Sequence, residues 1–312
     1  MSSRTVSPEE ARLRDGLEAL AKDLRAGALR ADPVRFPRRY VAREDREAVA
    51  LVSSLFAYGN VKAMGAFLER VLSRLGPAPA AALRAGIGAE EIPPYRFQTS
   101  SDVAAFLSSA GRVLARTGTL EGFFQEGAEE GLEALSRRLR RECGRLTRGL
   151  AHLLPLPSSG SACKRWWMFL RWMVRPDDGV DLGLWSALRP SELRMPVDTH
   201  VARIALALGL ARRRTPDRAF ALELTGALAR LHPEDPTRYD FALAHLGISR
   251  SCRGRTVESL CAACSLRGRC VLGAGGAGPR AESLPPRTRA RYARTTEERH
   301  GEVQKGPGGG IR

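Results

Sequence analysis

The stretch from Ser161 to Arg203 fixes most of what this chain can become. Ala162, Trp166, Phe169, Leu170 and Met173 recur at helical spacing, so one face of a helix is buried here. Pro157, Ser158, Ser159 and Gly160 supply the turn that starts it, and Pro176 ends it by removing a backbone donor. A second apolar helix carries Val201, Ile204, Ala205 and Leu208, with Asp198 at its start. Neither segment alternates polar and apolar residues as a strand does, and no alternation worth the name occurs elsewhere. The chain reads as all-α.

The starts of these two helices hold the candidate chemistry. Lys164 falls in the first turn, where unpaired N–H groups carry partial positive charge and disfavour an ammonium. Burial against the neighbouring tryptophans acts in the same direction and favours an amine nucleophile of the kind that forms Schiff bases. The plainer reading is a solvated lysine beside Arg165. Asp198 has the residue type and position of an N-cap. A capped carboxylate stays ionised at neutral pH, so a structural cap and a chemical role are compatible.

The rest of the chain is read in order. Ser7-Pro8-Glu9-Glu10 is a capping box with proline at the first helical position, starting a helix to about Arg25. Asp32 to Pro37 reads as an extended connection. Residues 44–75 are helical with a break at Tyr58-Gly59-Asn60, where Gly59 or Asn60 suits a left-handed helix end. Pro77 to Pro94 is turn-rich around a short alanine-rich helix. Ser100 to Thr117 is a helix, and Leu120 to Arg148 gives one or two more, with a basic run from Arg137 to Arg148 that is a solvated face or a phosphate contact. Helices are expected from Thr215 to Leu231 and from Arg238 to Gly247. After Val271, Gly, Pro, Arg and Glu dominate, which predicts a disordered basic tail over 276–312.

Charge sets the partner class. The net charge is +16, of which residues 271–312 contribute only +4, so +12 remains in the first 270 residues. That excess suits a polyanion. No apolar run reaches membrane-spanning length and no leader is evident, so a cytoplasmic, non-membrane protein is expected. Six cysteines in such a chain favour metal over disulfides. Four of them, Cys252, Cys261, Cys264 and Cys270, lie within 19 residues at the spacing C-x8-C-x2-C-x5-C. Zinc sites usually use two C-x2-C pairs and this chain has one; four thiolates in a compact loop suit an iron–sulfur cluster. Cys143 and Cys163 read as buried thiols.

Pro196-Val197-Asp198-Thr199-His200-Val201, followed by Arg203, resembles the catalytic-aspartate motif of the helix-hairpin-helix DNA glycosylases, the endonuclease III (HhH-GPD) superfamily. Lys164 matches the lysine of its bifunctional members. It stands 34 residues before Asp198, a gap longer than in most of the superfamily and similar to that of the archaeal 8-oxoguanine glycosylases. The hairpin, Leu154-Pro155-Leu156-Pro157-Ser158-Ser159-Gly160, keeps Leu-Pro but a single glycine. The cysteine loop is similar to the endonuclease III cluster loop in its last two spacings, with a longer first gap, and follows a helix ending His245-Leu246-Gly247.

The resemblance implies two helical lobes with a DNA cleft between them. The N-terminal helices and residues 210–275 would form one lobe and about 45–160 the other, the whole glycosylase fold spanning 1–275. It implies base excision: nucleotide flipping, attack of Lys164 on C1′, charge stabilisation by Asp198, then β-elimination. Cys252, Cys261, Cys264 and Cys270 would hold a [4Fe-4S] cluster, zinc being the runner-up, and the cluster would position Arg250, Arg253, Arg255, Arg267 and Arg269 toward phosphates. Asn60 would be presented to the DNA. Asp240 would read the extruded base, since a carboxylate accepts from both N1–H and the 2-amino group of guanine. Trp166, Trp167, Trp172 and Trp185 offer stacking surfaces or, at helical spacing, core. The expected partner is double-stranded DNA with a damaged base, bound by a monomer in the cytoplasm at the nucleoid. Three readings follow: a bifunctional 8-oxoguanine glycosylase, the same machine for oxidised pyrimidines, and a non-catalytic DNA-binding protein of this fold.

Overall fold

Capping chemistry sets the helix boundaries. The computed structural model describes residues 7–86, 92–249, 252 and 256–272, the side chains of 24–28 excepted. Helix α1 runs Pro8–Ala28, with the Ser7–Glu10 capping box formed in both directions. Helices α2 (Arg43–Leu55) and α3 (Val61–Leu75) are separated by the expected break. There Gly59 takes the left-handed conformation. Asn60 does not end α2: it is extended, and its Oδ1 accepts from the N–H of Lys62 and Ala63, capping α3. The connection from Asp32 to Pro37 is not extended either. Asp32 accepts from the Val34 N–H and prolines open two short 3-10 turns, Pro33–Arg35 and Pro37–Arg39.

Then come α4 (Pro79–Ala85), α5 (Ser100–Thr117), α6 (Ala128–Cys143) and α7 (Arg148–Leu153). Helix α8 is Lys164–Val174 and α9 is Thr199–Ala207. Helix α10 (Arg218–Leu231) starts later than Thr215 because Asp217 is its cap, and α11 (Asp240–Ile248) starts two residues after Arg238. A short α12, Glu258–Ala262, lies inside the cysteine loop, where periodicity gave no sign of it. No strand occurs among the described residues, and none of their helices is long and apolar enough to cross a membrane.

Two apolar clusters form the interior. The first gathers residues between Val34 and Leu193, from α2 to α8, together with Phe241 of α11. The second joins Leu13, Leu17 and Leu20 of α1 to Met195 onward through α9, α10 and α11, reaching Leu266. All four tryptophans are buried. Glu129 of α6 ties the clusters together, accepting from Arg218 at 2.6 Å and from Arg194. These two arginines hold its carboxyl at about 2. In the basic run, Arg137 pairs with Glu133 and Arg138 with Glu142, while Arg140 donates to the Leu154 carbonyl. Those three are structural; Arg141, Arg145 and Arg148 remain exposed.

Candidate active site

Lys164 is the first residue of α8, preceded by Cys163 in a left-handed conformation with φ +46°. Few residues with a Cβ adopt that region, and it turns the chain sharply into the helix. Asp198 caps α9, its Oδ1 accepting from the N–H groups of His200 and Val201 at 2.8 and 2.9 Å. Its other oxygen, Oδ2, accepts from Lys164 Nζ at 2.8 Å. Two residues 34 apart, one on each apolar cluster's helices, meet in an ion pair that keeps about a quarter of the lysine side chain in water. Burial acts to raise the Asp198 carboxyl, but Lys164 and the Val201 amide outweigh it and hold it below the usual value of 3.8. Asp198 is therefore at once a cap and the partner of the amine.

Asp240 lies near this pair. Burial pushes it up to about 6, Arg171 and Lys164 oppose the rise, and Asp198 and Asp181 add to it. It is 4% exposed. Its Oδ2 accepts from Arg171, which also donates to Asp181 at 3.1 Å. Arg175 continues the network to Asp181 and, at 2.8 Å, to Asp235. Asp240 is thus paired inside a buried set with more acids than arginines. The pairing was missed in the sequence, although Arg171 stands seven residues after Lys164 on the same helix face. Asn60 is exposed, with its side-chain oxygen engaged in capping α3. No tryptophan is free to stack on a base.

At Gly247, α11 and α9 approach closely: a Cβ there would lie 2.6 Å from His200 Cβ. That is the physical reason for the glycine closing His245-Leu246-Gly247. Beyond it the cysteine loop is tied back, with the Cys252 N–H donating to Leu246 and the Cys252 carbonyl accepting from Arg203. Cys252, Cys264 and Cys270 pack on the second apolar cluster. The Cys264 thiol is pushed up by burial, then by neighbouring Cys252 and Cys261. Four thiols are a donor set that suits a metal in kind. Among the described residues, no three His, Cys, Asp or Glu side chains are arranged to hold one. Arg267 pairs with Glu258 and Arg269 with Glu9, while Arg250, Arg253 and Arg255 lie outside the described residues, as does the tail over 276–312.

A family model described as a protein of unknown function, DUF2400, matches residues 32–249. The chain belongs to that family. The DUF2400 segment contains Asn60, Lys164, Asp198 and Asp240 and stops short of Cys252, so the ion pair and its surroundings are within the family region and the cysteine loop is outside it. No curated protein and no solved structure matches the chain.

Proposed function

We propose that this chain is a bifunctional DNA glycosylase with AP-lyase activity, related to the helix-hairpin-helix (HhH-GPD) superfamily and acting on an oxidised guanine. The observation that carries this is the Lys164–Asp198 contact, 2.8 Å between an amine at a helix start and a carboxylate that caps another. An amine attacks carbon only after losing a proton, and Asp198 is the group in contact to take it. Lys164 then adds to C1′ of the extruded nucleotide as the bond to the base breaks. The proton on Asp198 passes to the departing base, and the regenerated carboxylate offsets the positive charge that develops on the sugar. The C1′–O4′ bond then opens, O4′ taking a proton, which leaves an iminium on Lys164; this acidifies the neighbouring C2′–H, and its loss expels the 3′ phosphate and nicks the strand. The net charge of +16 suits the DNA partner.

The four cysteines would hold a [4Fe-4S] cluster, which acts in none of these steps; zinc is the alternative occupant. A second reading of the substrate, an oxidised pyrimidine, is favoured by the cysteine loop and by the closure of Asp240 onto Arg171.

Borohydride trapping tests the chemistry directly. Wild-type protein is expected to cross-link to duplex DNA carrying 8-oxoguanine, and Lys164→Ala to lose cross-linking and nicking while still binding DNA. A Lys164→Ala protein that still cross-links removes the assignment, and wild type that prefers an oxidised pyrimidine replaces the substrate.

A further inference from the structure

Phe97 is 56% exposed, although the tryptophans and the other large rings of the core are covered. Its ring is held, not trailing. Tyr95 and Gln98 exchange backbone hydrogen bonds at 2.9 Å around it, Gln98 is buried and donates to the Gly149 carbonyl at 2.7 Å, and Arg96 turns the corner with φ +51°. Tyr58 lies parallel to Phe97, with ring centroids 6.2 Å apart and planes 4° apart, and His152 abuts its edge at 4.7 Å. A rigidly held ring therefore keeps more than half of its surface in water, with Tyr58 parallel to it and the Arg96 guanidinium over it.

The surroundings are cationic. The Arg96 guanidinium lies 5.4 Å from the Phe97 ring centre and that of Arg165 4.9 Å from Tyr58. Arg148 is exposed one turn before His152 on α7. Among the described residues Arg96 and Arg148 form no salt bridge. Arg165 donates to the carbonyls of Leu55 and His152 and to no carboxylate. Arg165 also follows Lys164 directly in α8, so the patch is joined to the helix that carries the candidate amine.

A part-exposed ring beside arginines that, among the described residues, have no carboxylate partner fits a nucleobase with its flanking phosphates. Bases inside a duplex expose no face; one appears when a nucleotide leaves the stack and its partner is left with a gap beside it. We propose that Phe97, backed by Tyr58 and His152, stacks on such an unpaired base beside the site at Lys164, with Arg96 and Arg148 meeting the adjoining phosphates. The inference rests on the glycosylase reading and assigns it a further DNA-binding residue.

The test is a comparison of affinities, which needs no catalysis. The full chain is titrated with a duplex carrying one tetrahydrofuran residue and with the intact duplex of the same sequence. Wild type is expected to prefer the gapped duplex. Phe97→Ala is expected to lose about 5- to 140-fold on the gapped duplex, the range for one base–aromatic stack, with the loss confined to it. Phe97→Trp, which keeps a flat ring, is expected to restore the preference. If Phe97→Ala keeps the wild-type preference, or if Phe97→Trp loses as much as Ala, the platform is wrong while Lys164 trapping stands. If wild type binds neither duplex, the glycosylase reading falls and the platform with it.

Discussion

Asp240 carries the most chemical information of any single side chain. It is buried, shares Arg171 with Asp181, and is pushed up to about 6 by that burial. An acid whose folded value lies above its free value of 3.8 binds its proton more tightly when folded. Its contribution to stability therefore grows as pH falls from about 7 toward 4, and an uncharged replacement removes that slope. Asp240→Asn should accordingly show a flatter stability–pH curve than wild type between pH 4 and 7, measured by denaturant unfolding. The same variant tests base reading. Loss of a buried charge-assisted hydrogen bond costs about 1.5–3 kcal/mol, or one to two decades in rate. Asp240→Asn should be slowed by that much on 8-oxoguanine in single turnover and should still process a pre-formed abasic site, where no base is read. Equal rates on both substrates would leave Asp240 as a structural partner of Arg171 alone.

At the scale of elements, the site depends on where α8 and α9 begin. Both starts were legible in the sequence, because apolar spacing, the Pro157–Gly160 turn and an aspartate cap are local signals. The partnership of Arg171 with Asp240 joins residues 69 apart and leaves no local trace. Phe97 was overlooked for a related reason: what leaves a ring exposed is the absence of tertiary cover, which spacing does not encode. The tryptophans stand at helical spacing, which suits stacking surfaces and core alike, and the fold buries each of them. The contact of α11 with α9 gives a way to disturb the site from outside it. Gly247→Ala puts a methyl 2.6 Å from His200 Cβ, two residues from Asp198, and α9 must shift to admit it. Overpacking of this kind costs about 1–3 kcal/mol. Gly111→Ala is the matched control, since its Cβ would strike the Leu83 carbonyl where α4 and α5 cross, within the first apolar cluster. Both variants should melt earlier, whereas only Gly247→Ala should also slow cross-linking at temperatures where each is folded. Equal cross-linking in the two would mean that Asp198 is positioned independently of α11.

At the scale of the whole molecule, the cysteine loop works as a clasp between chain ends. Ser265 donates to the Gly16 carbonyl of α1 at 3.0 Å, Arg203 of α9 donates to the Cys252 carbonyl, and the Val271 N–H donates to the Ala207 carbonyl. Gly16 has no room for a side chain against the Ser265 backbone, so α1 and the loop lie in direct contact. A metal held by Cys252, Cys261, Cys264 and Cys270 would cross-link that clasp, and a ligand bound only by the folded state stabilises it by mass action. Protein purified without oxygen should be brown, absorb broadly near ~400 nm and contain about four irons per chain. Removing the iron should lower the melting temperature and expose α1 first, read as faster amide exchange over residues 8–23 than in α5. One bound zinc in colourless protein would make the loop a zinc site. Iron that can be stripped without changing exchange in α1 would mean that the hydrogen bonds from Ser265, Arg203 and Val271 close the clasp unaided.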